Sequence, residues 1–226
     1  MILPKQAKVA TSSTFVGGNG QLQKCFVYGT LMAPEVLEEL IGRVPSMQTP
    51  AFLSNKYRRH PVKDFVFPGV IPSINNNKTD MTTVQEFHMS NDTVRGVLLV
   101  DLSPSDMKVF DWFEDDDYTR TLVPVYVPKK SQTEGAEESN ASSLHTSSDV
   151  HIATDDFQKI SKKYATTGTE EWETIEAHTY IWSNPITQLH LEKPWDYTEF
   201  RKNHLGWYLE NTVKPCRQYL NKLGFE

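Results

Sequence analysis

The sequence CFVYGTLMAPEVLEE, residues 25–39, joins a short apolar strand to a helix through a single glycine. A strand is predicted over Cys25–Tyr28. A helix is predicted over Pro34–Ile41, where proline suits the first helical position and the apolar residues fall on one face. Gly29 lies between them and lets the backbone approach a neighbouring group closely. The glycine either serves a plain turn or allows successive backbone N–H groups before the helix to bind an anion.

Length and composition limit the classes of function. The chain has 226 residues, a formal net charge of −6 and 11% aromatic residues, which suits one domain with a sizeable core. The acidic balance argues against a nucleic-acid partner, and Lys56, Arg58 and Arg59 are predicted to lie on a solvated strand edge. No apolar run reaches the roughly 18 residues of a membrane-spanning helix, so no membrane partner is expected. Only two cysteines occur, Cys25 and Cys216, which indicates a reducing, cytoplasmic setting.

Two segments differ in character from the rest of the chain. Residues 1–24 contain lysines and no acidic residue, and they are predicted to form a disordered N-terminal tail. Residues 131–173 contain nine acidic and three basic residues and few large apolar ones. Such a segment cannot bury enough apolar surface to offset its ordering entropy. Residues 25–226 are therefore predicted to form a single domain, interrupted by a disordered acidic insertion at about 131–173.

Short strands and helices alternate irregularly along the domain. Further strands are predicted at Ala51–His60 and Val62–Val70, split at Pro61, and at Val94–Leu102, Tyr118–Val127 and Thr174–Trp182. The segment containing Pro68, Gly69 and Pro72 is predicted to be rich in turns, and Ile74–Asp92 to be a loop. This order favours an α+β fold, such as a small mixed barrel, over a doubly wound sheet. A single glycine after the first strand also argues against a dinucleotide-binding fold.

Helix signals occur at two further places. Ser103 has the features of an N-cap, with proline next and an acid three residues on. Asp196 has the same relation to Glu199. The second of these helices is predicted to turn one face inward and to end or kink at Pro215, and the inward residues are Phe200, His204, Trp207 and Tyr208.

A second candidate site is the acidic run with carboxylates at positions 111 and 114–117. Asp115–Asp117 are predicted to be a solvated loop, and the weaker alternative is a divalent cation site, although the spacing differs from that of a calcium loop. Glu114 follows an apolar helix face, so partial desolvation is expected to raise its pKa. A carboxylate of that kind suits a general base near neutral pH. Tyr180 faces the opposite side of its strand from Ile175 and Ile181, either in surface packing or toward a site.

Three segments taken together resemble the gamma-glutamylcyclotransferase-like family. The closest resemblance is to its avirulence-induced-gene-type branch, which includes gamma-glutamylamine cyclotransferases. The matching segments are Val27–Met32, Phe67–Pro72 and Phe110–Arg120, and the resemblance covers roughly residues 25–128 and 174–210. It departs at Asp115, where the family often has glycine, and in the insertion, which has no counterpart in the family pattern.

The resemblance implies a small β-barrel flanked by helices and an enzyme that converts a γ-glutamyl amide into 5-oxoproline and a free amine. It implies that Glu114 is the catalytic acid and base and that Tyr118 and Tyr180 line the site. It also implies that one loop binds the γ-glutamyl group, and this loop consists of Val27, Tyr28, Gly29, Thr30, Leu31 and Met32. The expected partner is a small γ-glutamyl amine or γ-glutamyl amino acid, and the reaction needs no metal or cofactor.

Two other functions stay open at the level of sequence. The first is a non-catalytic protein that binds a small ligand or acts in stress responses on the same fold, and Asp115 in place of glycine favours it. The second is a scaffold in which the acidic insertion recruits a basic protein partner.

Overall fold

A closed five-stranded β-barrel forms the centre of the molecule. The computed structural model describes residues 22–73, 92–129 and 172–225. Their seven strands are β1 (Gln23–Val27), β2 (Gln48–Leu53), β3 (Tyr57–Pro61), β4 (Pro68–Pro72), β5 (Arg95–Leu102), β6 (Tyr118–Pro128) and β7 (Trp172–Trp182). The barrel order is β1–β5–β2–β6–β7, and β7 returns to β1 in the one parallel pairing of this barrel. The predicted α+β fold with a small mixed barrel is confirmed.

Strands β3 and β4 form a separate two-stranded antiparallel sheet. The predicted division into Ala51–His60 and Val62–Val70 was wrong, because the chain leaves the strands at residues 54–56 and 62–67 rather than at Pro61 alone. The segment predicted to be rich in turns is strand β4. Its prolines lie at the first and last positions of the strand, where the missing N–H costs little.

The first two helices begin where the sequence predicts. Helix α1 spans Pro34–Ile41, and helix α2 spans Pro104–Glu114. At the start of α2, the backbone N–H of Asp106 donates to Ser103 Oγ at 3.1 Å, and the N–H of Ser103 donates to Asp106 Oδ2 at 2.8 Å. Arg43 donates to the same carboxylate oxygen at 2.6 Å, which fixes this end of α2 to the loop after α1.

Residues 197–222 are helical throughout, with α-helical stretches separated by two π-helical turns at Phe200–His204 and Leu209–Val213. A π turn holds more residues than an α turn, so the buried side chains follow at a spacing of five across each. The buried side chains on either side of the two π turns are Phe200 and Leu205, and Tyr208 and Val213. Trp207 was predicted to face inward, but it is 56% exposed because the π turns shift the buried face.

The two ends of this C-terminal segment compare differently with their predictions. Asp196 accepts from the N–H of Glu199 at 2.8 Å, as predicted for an N-cap. Of the two alternatives predicted at Pro215, an end of the helix is wrong, because a π turn precedes the proline and an α-helix runs from Lys214 to Lys222. Of the helices within the described ranges, none has the length and apolar character needed to cross a membrane.

The predicted tail and insertion lie largely outside the described residues. At their edges the predicted bounds need correction. Gln23 and Lys24 belong to β1 rather than to the tail, and Trp172 and Glu173 belong to β7 rather than to the insertion. The predicted loop at Ile74–Asp92 also lies outside the described residues, except for Asp92 itself.

Strands β1 and β5 approach each other most closely at Gly96. A Cβ atom at this position would lie 2.3 Å from the carbonyl oxygen of Val27 and 2.5 Å from the ring of Phe26. Both are far inside normal van der Waals contact, and one of them belongs to the backbone. Glycine at position 96 is therefore needed for β5 to pack against β1, the strand that leads into the Gly29 loop.

We expect Gly96→Ala to lower the free energy of unfolding by about 1–3 kcal/mol or more, because the added methyl group must displace the Val27 backbone or the Phe26 ring. Gly206→Ala is the matched control, since a Cβ there meets nothing within 4 Å and the residue lies in a helix. It should raise the free energy of unfolding by up to about 1 kcal/mol. Chemical denaturation measures both, and equal small effects would contradict the steric account.

Helix α2 ends at Glu114, and the next residue has an unusual backbone conformation. Asp115 has φ 51° and ψ −159°, a region that glycine adopts readily and other residues adopt only under strain. Its N–H still donates to the carbonyl of Asp111, so the surrounding structure holds the strained residue in place.

We expect Asp115→Gly to raise the free energy of unfolding by roughly 1 kcal/mol. Relief of about 1–3 kcal/mol of strain exceeds the entropic cost of an added glycine, which is about 0.5–1 kcal/mol. Asp116→Gly removes the same charge from a residue without a positive φ and should lower the free energy of unfolding instead. Urea denaturation of the two variants checks this, and a loss of stability in both would refute it.

Candidate active site

The loop after β1 leaves backbone donors unpaired. Residues Thr30–Met32 form one 3-10 turn, in which the N–H of Met32 donates to the carbonyl of Gly29 at 3.0 Å. Within the described residues, no hydrogen bond is found for the N–H groups of Gly29, Thr30 or Leu31. Gly29 packs against the ring of Pro68, from which an added Cβ would be 3.0 Å away. The loop therefore lies directly on strand β4.

The side chains of this loop serve two purposes. Val27, Leu31 and Met32 are buried in the hydrophobic core and anchor the loop, so only their backbone is available to a ligand. The Tyr28 hydroxyl donates to the carbonyl of Tyr180 on β7. Thr30 Oγ1 lies 3.3 Å from the hydroxyl of Tyr208 in the C-terminal segment.

Glu114 is the last residue of α2 and is half-buried. Burial raises the pKa of its carboxyl to about 8, and the neighbouring charge of Asp117 adds to the rise. Asp115 and Asp116 are exposed, as predicted for a solvated loop, whereas Asp117 is half-buried and accepts from Asn184 Nδ2 at 2.6 Å, which the prediction missed. In the described part of the chain, the Glu114 carboxylate has no hydrogen-bond partner. With this raised pKa, the carboxyl group of Glu114 is largely protonated at neutral pH.

Four tyrosines surround Glu114. Burial raises the pKa of each tyrosine hydroxyl, and the nearby charge of Glu114 adds to the rise in all four. The four tyrosines are Tyr28, Tyr118, Tyr180 and Tyr208. The phenols therefore stay protonated at neutral pH. They offer hydroxyl groups and ring faces around a single acid.

Hydrogen bonds hold these tyrosines in place and connect the three segments that the sequence singled out. Tyr118 donates to the carbonyl of Pro68 at 2.9 Å. Tyr180 donates to Asp111 Oδ1 at 2.9 Å, and Arg120 pairs with the other oxygen of Asp111 at 3.1 Å. The structure thus brings together all the predicted site segments. The side chains of Val27, Leu31 and Met32 lie in the core, where their contribution is structural.

Tyr208 was predicted to face inward but was not recognised as a residue of the site. It is buried and packs edge-to-face on Phe113, the residue before Glu114, with ring centroids 6.4 Å apart. Its hydroxyl meets Thr30. The only signal in the sequence was aromatic spacing along a helix, which does not indicate which element the helix covers.

Arg59 was predicted to be part of a solvated edge, and this was wrong. Its Nη1 donates to the carbonyl of Tyr28 at 2.7 Å and to the carbonyl of Arg95 at 3.1 Å. Its guanidinium lies over the ring of Trp195, 5.1 Å from the centroid. No sequence signal identifies this role, because both hydrogen-bond acceptors are distant backbone groups.

The weaker alternative of a cation site gains no support. Among the residues that the structure describes, no three histidine, cysteine, aspartate or glutamate side chains gather closely enough to hold a metal ion.

Comparison with known proteins places this geometry in context. A curated relative, AIG2-like protein D of Arabidopsis thaliana, is 27% identical over 206 residues, which are 91% of this chain and 96% of the relative. AIG2-like protein C of the same species is 31% identical over 107 residues, 47% of this chain and 52% of the relative. A solution structure of another Arabidopsis thaliana protein has 20% identity and a TM-score of 0.45, covering 93% of this chain and 91% of the other.

The family described as gamma-glutamyl cyclotransferase, AIG2-like, matches residues 25–141, just over half of the chain. The match contains the Gly29 loop, β4 and Glu114, whereas Tyr180 and Tyr208 come from residues beyond it. The chain therefore belongs to the AIG2-like gamma-glutamyl cyclotransferase family.

Proposed function

We propose that the protein is a γ-glutamylcyclotransferase, which forms 5-oxoproline and releases a free amine. The observation that carries the proposal is the Glu114 carboxylate. It has a pKa of about 8, and it is half-buried among four tyrosines beside a loop with unpaired N–H groups. A carboxylate with this pKa exchanges protons with an amine at little cost near neutral pH.

Glu114 serves the proton transfers of this reaction. The α-ammonium of the substrate loses a proton to the carboxylate, and the resulting amine nitrogen attacks the γ-carbonyl carbon. A carbon–nitrogen bond forms and closes a five-membered ring, and the amide bond to the leaving nitrogen breaks. Two protons leave the attacking nitrogen in all and two reach the leaving amine, which departs as an ammonium ion. Glu114 carries these protons between the two nitrogens.

The loop and the tyrosines supply position and charge stabilisation. The N–H groups of Gly29, Thr30 and Leu31 bind the α-carboxylate or the oxyanion that develops on the γ-carbonyl. Because the attack is intramolecular, holding the chain in a near-attack geometry accounts for much of the rate gain. Tyr118 and Tyr180 line the site beside Glu114. These residues carry out the chemistry without a metal or cofactor.

The proposal also covers the substrate class and the cellular compartment. A γ-glutamyl amine or γ-glutamyl amino acid fits the proposed reaction. Both cysteines, Cys25 and Cys216, are unpaired, which suits the cytoplasm. A basic protein partner for the acidic insertion remains a separate proposal that does not bear on the site.

We expect Glu114→Gln to lower the rate of 5-oxoproline release by about 100-fold or more, because the amide cannot accept a proton. Glu38→Gln, at an exposed glutamate on α1, is the matched control and should leave the rate unchanged. The assay uses purified protein with γ-glutamyl-lysine, γ-glutamyl amino acids and glutathione. An active Glu114→Gln variant would exclude this residue as the base. A folded wild type that binds 5-oxoproline without turnover would favour the ligand-binding alternative.

The pH dependence should report the raised pKa of Glu114. The reaction needs the ionised carboxylate, so kcat/KM should rise with pH up to about 8. Because Asp117 raises the pKa of Glu114, Asp117→Asn should move the rise of kcat/KM to lower pH. Asp116→Asn, which removes an exposed neighbouring charge, should not move it. An NMR titration of the substrate amine separates its ionisation from that of the enzyme. An equal shift in both variants, or none in either, would contradict the assignment.

A further inference from the structure

We propose that Arg59 is a positioning residue, which acts through the peptide between Tyr28 and Gly29 to hold the α-carboxylate of a γ-glutamyl substrate at the loop. The inference rests on the proposed function, and it assigns to Arg59 the positive charge that the loop itself lacks.

The contacts of Arg59 fix it against the loop backbone. One guanidinium nitrogen, Nη1, donates to the carbonyls of Tyr28 at 2.7 Å and Arg95 at 3.1 Å. The guanidinium plane lies over Trp195, whose own Nε1 donates to the carbonyl of Val66 at 2.9 Å. A cation held on both sides in this way has little freedom to reorient.

The part of the chain that the structure describes gives Arg59 no ion pair. Among the described residues, no carboxylate lies within ion-pair distance of its guanidinium, and Asp196 contributes a favourable charge only from farther away. Arg120, in contrast, pairs with Asp111 beside the site. Burial lowers the pKa of Arg59 to about 10, so the group is still charged at neutral pH. A half-buried cation without a counter-ion is costly, and an anionic ligand nearby would offset that cost.

Peptide geometry carries the effect from Arg59 to the ligand. The described residues contain no cis peptide bond, so the Tyr28 carbonyl and the Gly29 N–H point in opposite directions. Arg59 holds the carbonyl of Tyr28, and the N–H of Gly29 therefore faces away from the guanidinium. A charged donor on the carbonyl also polarises the amide and makes its N–H a stronger donor.

The α-carboxylate is the anion that this arrangement fits. It carries a full negative charge before the reaction begins, whereas the oxyanion develops only in the transition state. Glu114, Asp117 and Asp111 make the other side of the site acidic, which disfavours a carboxylate there. The substrate can place its ammonium beside Glu114 and its carboxylate at the loop, with Arg59 behind the loop.

The test compares two substrates that differ at one group. Wild type, Arg59→Met and Arg59→Lys are assayed for release of the free amine from two compounds. One is a γ-glutamyl amine with a free α-carboxylate, which leaves 5-oxoproline, and the other is the same compound with an α-carboxamide, which leaves 5-oxoprolinamide. Arg58→Met is the matched control, since this neighbouring residue on β3 also donates to two carbonyls, at 2.9 Å each, but at the turn before β3. Thermal unfolding confirms that each variant is folded.

The preference of the wild type for the carboxylate substrate should fall about 10-fold or more in Arg59→Met, chiefly through a higher KM. It should fall less in Arg59→Lys, which keeps the charge but loses the planar fork. Arg58→Met should keep the preference of the wild type. In Arg59→Lys, the amide proton of Gly29 should also shift in a two-dimensional NMR spectrum. That measurement keeps the inference testable if Arg59→Met does not fold.

Each contrary result has a distinct meaning. An active Arg59 variant with an unchanged preference would overturn the inference and leave the proposed function standing. An equal loss for both substrates would overturn the assignment of the α-carboxylate. A wild type that releases the free amine from neither compound would overturn the proposed function and this inference with it.

Discussion

The site depends on a carboxylate placed where a charge is disfavoured. Glu114 ends a helix, where the backbone dipole already presents negative charge, and aromatic side chains displace the water around it. The negative charge of Asp117 acts in the same direction. The helix is held despite this, because Ser103, Asp106 and Arg43 satisfy its opposite end. The capping contacts at the start of α2 thus help to offset the unfavourable placement of a carboxylate at the end of the helix.

The barrel makes that arrangement possible by bringing distant parts of the chain to one place. Strand β7 pairs along its whole length with β6 and also meets β1, so Tyr180 lies beside Tyr28. The C-terminal helices then cover the Gly29 loop through Tyr208. The family match ends before Tyr180 and Tyr208, yet both tyrosines lie near the same acid, Glu114. Residues outside the family match therefore contribute to the surroundings of Glu114.

The sequence predicted features whose causes are local and missed those whose causes are distant. Helix α1 and the start of α2 carry their own capping and proline signals, and both were placed correctly. The raised pKa of Glu114 was predicted from its place after an apolar helix face, and burial is its main cause. Trp207 was misplaced because π turns come from packing rather than from propensity. Arg59 was misjudged because its acceptors are backbone carbonyls on two other strands or loops, which no residue pattern encodes.

The pairing of β6 with β7 has a consequence for how the chain tolerates change. Pro128 and Trp172 are direct partners at the end of that ladder, so the chain leaves the barrel after β6 and re-enters it at β7 at neighbouring points. The free energy of closing a loop changes only slowly with its length, by about 0.6 kcal/mol for each doubling. The Glu114 site sits at the other end of the same ladder, where Tyr118 pairs with Trp182. The end of the ladder at Pro128 and Trp172 is thus a permissive position, at which a change in the length of the connecting segment costs little free energy of loop closure.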